Sequence, residues 1–493
     1  MKTEFEFARA VAWRLRVAAV LLICASPLVA APNELAAGLK DFVTVHAPVV
    51  ALTHVRVIDG TGAPARPDQT VVIRDGKIVA VGATAEVIVP ASATVLDLTG
   101  KSVLPGLVGM HDHLFYPLPA PTAGAGAPAL YGEMAFSFPR LYLAGGVTTL
   151  RTAGSIQPYT DLELKRAIDS GLAPGPKLHL TGPYLEGAGA YTPNMHQLSG
   201  PDDARRTVEY WAEEGMTSFK AYMHITRAEL SAAIAATHGR GLKITGHLCS
   251  IGFHEAAALG IDNLEHGLLV DSEFAADKKP DVCPSWRETA IGLLELDVHG
   301  PRLRELIEDL VRHHVAVTST LPVFETFVAN RPPLDNRVLA ALAPAARIDY
   351  LTRRARVAGR PKNDFAPLLA KEMEFERAFA LAGGVLLAGE DPTGYGGVLA
   401  GFGDQRELEL LVEAGFTPLE AIQIGTENGA RFLGEGDNIG TIEVSKQADL
   451  VIVEGQPDQD IHAIEKVVTV FKEGLGFDSA RLIDSVRNSV GIR

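Results

Sequence analysis

The stretch Leu104-Pro-Gly-Leu-Val-Gly-Met-His-Asp-His113 joins a short apolar run to two histidines that stand two residues apart. The apolar run predicts a buried strand, and side chains two apart on a strand point to the same face. His111 and His113 could therefore hold one metal ion between them. Taken alone, the pair fits two core or solvated histidines as well as it fits a metal site, so the rest of the chain decides.

From the start of this stretch at residue 104 to about residue 432, short apolar segments alternate with longer helical ones. This alternation is typical of parallel strands joined by crossover helices, and eight such strands form a TIM barrel. We therefore predict the α/β class and a (β/α)8 barrel over residues 104–432. The predicted strands are 104–110, 147–152, 177–181, 218–222, 242–245, 263–265, 315–318 and 385–388.

The segments that flank the predicted barrel are rich in strand signals. Residues 50–57 and 70–74 alternate in hydrophobicity, and Asp75-Gly76 is typical of a hairpin turn. Residues 440–444, 448–453 and 467–471 have the same character at the far end of the chain. We predict that residues 48–103 and 433–480 pair to form one small β-sandwich domain.

The first 31 residues have the features of a signal peptide, with arginines before an apolar core and small residues up to Ala31. The apolar core is shorter than the roughly 20 residues that span a bilayer. We therefore expect cleavage, a periplasmic or secreted location, and no stable membrane span in the mature protein. Cys249 and Cys283 could form a disulfide in an oxidising compartment, and two unpaired cysteines fit the sequence as well.

Several polar residues come at the ends of the predicted strands, where a barrel carries its catalytic groups. Lys220 lies in the fourth strand, His247 and His266 follow the fifth and sixth, and Asp391 follows the eighth. Each has an ordinary alternative, such as a lysine that extends to the surface, a core histidine or a helix-capping aspartate. Their occurrence together with the histidine pair at successive strand ends favours one metal site.

Three further motifs strengthen this interpretation. They are Gly145-Gly-Val-Thr-Thr149, Ala421-Ile-Gln-Ile-Gly-Thr-Glu-Asn-Gly-Ala430 and Gly440-Thr-Ile-Glu-Val-Ser-Lys-Gln-Ala-Asp-Leu-Val-Ile-Val453. With the first stretch, they make the chain similar to the amidohydrolase superfamily over nearly all of the mature chain. Within the superfamily, the chain most resembles the prolidase-like branch that also hydrolyses N-acyl amino acids.

The resemblance implies a centre of two divalent metal ions. His111, His113 and Asp391 would bind one ion, and His247 and His266 would bind the other. Lys220 would be carboxylated on its amine and would bridge the two ions. Imidazole and carboxylate ligands favour Zn²⁺.

The resemblance also implies that a metal-bridging hydroxide cleaves the amide bond of a dipeptide or an N-acyl amino acid, with Asp391 as the proton shuttle. His196 would assist catalysis by polarising the carbonyl group, although Thr192-Pro-Asn-Met-His196 replaces the usual Gly-Gly-His loop of this branch. Tyr222, His224 and Arg151 are candidate substrate-binding residues. Arg151 could pair with a substrate carboxylate, and it fits an ion pair inside the barrel equally well.

The alternative function on the same scaffold is hydrolysis of a lactone, ester or carbamate, whereas Lys220 argues against a deaminase. The net charge of −15 excludes nucleic-acid binding through a basic face. We expect a small-molecule substrate and a possible homo-oligomer.

Overall fold

The fold is given by a computed structural model, which describes residues 35–118, 130–190, 192–360 and 365–491. The expected signal peptide, residues 1–31, lies outside these ranges. Within them, no helix is both long enough and apolar enough to cross a membrane.

Strands and helices alternate through the middle of the described chain and give way to strands near both ends. The strands are β1 Val43–Val45, β2 Val49–Val57, β3 Arg66–Arg74, β4 Lys77–Ala83, β5 Thr94–Asp97, β6 Lys101–Pro105, β7 Leu107–Asp112, β8 Phe115–Pro117, β9 Tyr131–Glu133, β10 Val147–Thr152, β11 Lys177–His179, β12 Ser218–Ala221, β13 Lys243–Gly246, β14 Asn263–Glu265, β15 Ala316–Ser319, β16 Leu386–Ala388, β17 Leu450–Glu454, β18 Val467–Lys472 and β19 Leu475–Asp478. The helices are α1 Ser137–Gly145, α2 Pro158–Asp169, α3 Pro201–Glu214, α4 Arg227–His238, α5 Phe253–Leu259, α6 Trp286–Glu295, α7 Pro301–Arg312, α8 Leu321–Glu325, α9 Asn336–Ala341, α10 Pro344–Ala358, α11 Phe365–Leu381, α12 Phe402–Glu413, α13 Pro418–Gln423, α14 Gly429–Phe432 and α15 Ser479–Ser485.

Strands from the two ends of the described chain form one nine-stranded sheet in the order β1-β19-β18-β17-β6-β2-β3-β4, with β5 beside β2. The Asp75-Gly76 turn joins β3 to β4 as expected, because both residues adopt the positive φ angles that such a turn requires. Strand β17 lies between β18 and β6, so the two ends of the chain meet inside the sheet.

The middle of the described chain supplies eight parallel strands in two groups, β7-β10-β11 and β12 to β16. A parallel bridge between Thr181 and Ser218 connects the groups on one side. On the other side, the backbone N–H of Asp391, just after β16, donates to the carbonyl of His111 on β7 at 3.0 Å. This arrangement confirms the predicted α/β class.

The first predicted strand, 104–110, is divided in the structure. Residues up to Pro105 belong to β6 in the nine-stranded sheet, and β7 begins at Leu107. Gly106 separates them where the chain passes so close to Thr148 that a β-carbon would overlap its side chain. The rigid Pro105 and the small Gly106 thus allow the chain to change sheets.

The long crossover between β14 and β15 contains α6 and α7, and its Cys283 forms a disulfide with Cys249, which precedes β14. The disulfide resolves the alternative that the sequence left open. It connects the segment after β13 to the loop that leads into α6, across a separation of 34 residues. Closing a loop of this length contributes about 3–4 kcal/mol through the entropy of the unfolded chain.

Candidate metal centre

Six side chains predicted as metal ligands line one cavity of about 430 Å³. They come from the carboxyl ends of β7, β12, β13, β14 and β16, where the parallel strands open toward the same side. The six residues are His111, His113, Lys220, His247, His266 and Asp391.

Two histidines and one aspartate form the tightest group within the cavity. One ligand atom from each of His111, His113 and Asp391 lies within 4.8 Å of the others. His113 Nε2 is 3.4 Å from Asp391 Oδ1, and His111 Nε2 is 3.8 Å from Asp391 Oδ2. The separation of two residues at the end of β7 therefore brings both rings to the same carboxylate.

The other three predicted ligands lie beside this group. Lys220 Nζ is 3.2 Å from His111 Nε2, and its side chain is almost completely buried. The rings of His247 and His266 are 4.3 Å apart, and His266 Nε2 is 3.9 Å from Asp391 Oδ2. The structure thus brings all six residues together, with Lys220 and Asp391 in contact with neighbouring histidines.

Hydrogen bonds behind the cavity orient two of the histidines. His111 Nδ1 is 2.7 Å from Glu265 Oε2, and His266 Nδ1 is 2.7 Å from Thr320 Oγ1. In each case a proton on Nδ1 leaves the Nε2 lone pair directed into the cavity, which is the form that binds a metal. The sequence places Glu265 at a strand end but gives no sign of either hydrogen bond.

Burial sets the charge of the ligands. It lowers the pKa of His111 to about 4, and it lowers the pKa of His113, His247 and His266 in the same way. Burial opposes the charge on Asp391, yet the adjacent His111 and His113 keep the pKa of its carboxyl well below the usual range. Neutral imidazoles next to an ionised carboxylate are the donor set that suits a divalent cation, so these residues fit the implied metal.

Arg151 does not line the cavity, because its guanidinium is engaged beneath it. Its Nε donates to the carbonyl of Met110 at 2.9 Å, and its terminal nitrogens bond Asn263 at 2.9 Å and Glu265 at 2.7 Å. The side chain is only 2% exposed. The structural ion pair is therefore the better interpretation of Arg151, and the substrate-binding role lacks geometric support.

The remaining predicted residues divide between the cavity and its surroundings. Tyr222 lines the cavity, with its ring 5.0 Å from that of His247. The side chain of His196 is 57% exposed, and its Nε2 lies 3.1 Å from Asp203 Oδ2. His196 is not among the residues that line the cavity. Its neighbour Met195 lines the cavity instead. His224 Nδ1 faces the buried Glu186 at 3.4 Å, and His224 is also absent from the described cavity wall.

The sequence did not indicate most of the residues that shape the cavity. They are mostly large apolar or aromatic side chains from loops, short strands and helices that follow the parallel strands, together with one arginine. They include Phe115, Tyr131, Tyr184, Met223, Phe324, Phe327, Arg353 and Tyr395. Single residues scattered over loops and short elements form no pattern with a period of two or of 3.6, so no pattern identified them.

Comparisons with known proteins agree with this architecture. Residues 389–475 match the amidohydrolase family model. The chain is 36% identical over 114 residues to an imidazolonepropionase of Nocardia farcinica, a match that covers 22% of this chain and 26% of the relative. An imidazolonepropionase of Mycolicibacterium smegmatis is 36% identical over 101 residues, which are 20% of this chain and 22% of that protein. The chain thus matches only about a quarter of the length of these curated relatives.

The fold is shared with solved structures over most of the chain. A putative prolidase from Bifidobacterium longum aligns with a TM-score of 0.61 and 24% identity, covering 89% of this chain and 98% of that one. A Xaa-Pro dipeptidase with bound methionine aligns with a TM-score of 0.64 and 20% identity, covering 87% and 100%. Together with the family match, these structures confirm the resemblance to the amidohydrolase superfamily.

Proposed function

We propose that this protein is a metal-dependent hydrolase that cleaves an amide C–N bond of a small molecule, such as a dipeptide or an N-acyl amino acid. The observation that carries the proposal is the convergence of six metal-competent side chains in one cavity. Names such as prolidase and Xaa-Pro dipeptidase among the proteins of the same fold favour this bond over an ester or a lactone.

We also propose that the eight parallel strands close into a (β/α)8 barrel and that the nine-stranded sheet folds into a β-sandwich. The Thr181–Ser218 bridge and the Asp391–His111 hydrogen bond support closure, since they lie on opposite sides of the strand order. A separate apolar core, which includes Leu52, Val71 and Ile452, supports the second domain.

In the proposed centre, His111, His113 and Asp391 would hold one divalent ion, and His247 and His266 a second, with Zn²⁺ favoured by the ligands. The Lys220 amine would add to carbon dioxide and release a proton, and the resulting anionic carbamate would bridge the two ions. This reaction would replace a buried cation with an anionic ligand. When bound, such ions lower the pKa of water and polarise a carbonyl group.

The remaining chemistry belongs to the protein. Asp391 would accept the proton of the attacking water and transfer it to the leaving nitrogen, so that one carboxylate serves both steps. Burial of the cluster limits competition from bulk water. Tyr222, beside His247, would contact the substrate.

We further propose that the protein works in the periplasm or outside the cell. The Cys249–Cys283 disulfide supports this location, because disulfides persist mainly in oxidising compartments.

The experiment that tests the function is a hydrolysis screen of the Zn²⁺-loaded protein with N-acyl amino acids, dipeptides, esters and lactones. Metal content per chain is measured in parallel. We expect amide hydrolysis that a chelator abolishes, two ions per chain in the wild type and fewer in Lys220→Ala. Full activity and full metal content in Lys220→Ala would contradict the two-ion centre.

Asp391→Asn tests the proton transfer. We expect turnover to fall by about 10²–10⁴-fold, because the amide cannot accept the proton of the attacking water. Turnover is compared with metal content in the same preparation, so that loss of the ion is separated from loss of the base. Near wild-type turnover in a metal-loaded variant would exclude Asp391 as the proton carrier.

A further inference from the structure

The cavity has two aromatic walls. The first wall adjoins His113 and His247. There, Phe115 stacks on His113 with ring centroids 4.3 Å apart, and Tyr222 lies 4.8 Å from Tyr184. The second wall adjoins His266 and contains Phe324, Phe327 and Tyr395.

The two walls differ in charge. Apart from histidines, the charged side chains among the described lining residues are Lys220, Asp391 and Arg353. Lys220 and Asp391 lie within the cluster of predicted metal ligands, at 3.2 Å and 3.8 Å from His111. Among the described lining residues, Arg353 is therefore the cationic side chain that lies outside the cluster of predicted metal ligands. It could contact a part of the substrate away from the scissile bond.

The fold places Arg353 beside the second wall. It lies on α10, which packs its Tyr350 against Gly397 at the end of the loop that supplies Tyr395. Arg353 Nε is 2.8 Å from Asp349 one helical turn earlier, and the two side chains are 23% and 20% exposed. This ion pair steadies the guanidinium, and the remaining N–H donors of the fork can face a ligand.

We propose that Arg353 is a specificity-determining residue that binds a carboxylate of the substrate. The aromatic wall beside His113 then takes a large apolar group on the other side of the scissile amide. This inference rests on the proposed function, since it assumes that the scissile amide binds next to the six predicted metal ligands. Arg151, the arginine that the sequence suggested for this role, is occupied by Glu265, Asn263 and Met110.

The kinetic test compares N-phenylacetyl-leucine with N-phenylacetyl-leucinol, which has the same amide and lacks the carboxylate. We expect Arg353→Met to raise KM for the leucine substrate by about 10- to 100-fold and to leave the leucinol substrate nearly unchanged. Arg353→Lys should fall between wild type and Arg353→Met, because it keeps the charge without the fork. Arg356→Met is the matched control, since Arg356 lies exposed on the same helix and outside the cavity.

A binding test separates the anchor from the proposed function. Calorimetry of the metal-loaded protein compares N-benzylsulfonyl-leucine with its leucinol counterpart, in which the sulfonamide replaces the amide. Tighter binding of the leucine compound that is lost in Arg353→Met supports the anchor, even if no amide is hydrolysed. Equal binding of both compounds, binding of neither, or discrimination that persists in Arg353→Met would overturn the anchor, while measured amide hydrolysis would still support the function.

Discussion

Arg151 connects the candidate site to the stability of the protein. Its guanidinium pairs with Glu265 Oε1 at 2.7 Å, and the second oxygen of Glu265 lies 2.7 Å from His111 Nδ1. Burial opposes the charge on Glu265, but Arg151 and His111 keep the pKa of its carboxyl well below the usual range. One carboxylate thus balances the buried arginine and orients a predicted metal ligand.

We expect Arg151→Met to lower the free energy of unfolding by about 3–5 kcal/mol, because it leaves the buried charge of Glu265 without its partner. Urea denaturation monitored by circular dichroism measures the change. The control is Arg205→Met, which removes an exposed ion pair with Glu209 at 2.9 Å and should cost less than about 1 kcal/mol. Equal losses of unfolding free energy in both variants would show that the buried ion pair contributes no more to stability than the exposed one.

Helices α11 and α12 bring three buried glutamates together behind the candidate site. Glu372 accepts the backbone N–H groups of Leu268 and Leu269 at 3.2 Å and 2.7 Å, just after β14. Glu407 accepts the N–H of Leu321 at 3.0 Å, just after β15. Glu376 lies between them, beside Ser319. Glu372 and Glu407 therefore fix the short turns that follow β14, which leads to His266, and β15.

Burial raises the pKa of all three glutamates, that of Glu372 to about 8. The folded protein keeps protons that the unfolded chain releases near pH 4.3, the ordinary value for glutamate. The stability from these protons is complete below that pH and is lost as the pH rises through the folded values.

Glu376→Gln should therefore make stability less sensitive to alkali. Between pH 6 and pH 8 we expect its free energy of unfolding to fall less steeply than that of the wild type, by up to about 1.4 kcal/mol per pH unit. Urea denaturation at several pH values measures the slope. Glu374→Gln, an exposed change on the same helix, should leave the slope as it is. Parallel slopes for Glu376→Gln and the wild type would show that Glu376 is ionised in the folded protein.

At the scale of the whole molecule, the sequence predicted the α/β class and the six candidate metal ligands that meet in the cavity, but few of the other residues that line it. His247, His266 and Asp391 were identifiable because each lies within three residues of the end of an apolar strand, and parallel strands bring their ends together. Arg353 was not, because it lies on a helix far from any predicted strand end. Similarly, nothing in the sequence around Arg151 decides between a substrate and Glu265, since only tertiary packing brings Glu265 within reach.

Because strands from both ends of the described chain pair in one sheet, we expect the whole fold to require the strands near residue 450 and beyond. Strand β17 is paired on both edges, with β6 and with β18, and Ser479 at the start of α15 donates to the carbonyl of Ala144 on α1 at 2.8 Å. The apolar side chains buried in this region are Leu450, Val451, Ile452, Val453, Val470, Phe471 and Phe477. Their burial contributes about 10–20 kcal/mol before the entropy of ordering the segment is subtracted. This gross contribution is as large as the about 5–15 kcal/mol by which folded proteins are stable.

A chain that ends at residue 447 should therefore fail to fold, including the part that contains the eight parallel strands, although none of the predicted metal ligands is removed. Limited proteolysis and near-ultraviolet circular dichroism of the purified fragment measure this, with a chain that ends at residue 491 as the control that keeps every described residue. A folded, metal-binding fragment would show that the parallel-strand half is independently stable. In that case the pairing of β17 with β6 would serve to attach the sheet to this half, and its contribution to stability would be confined to the sheet.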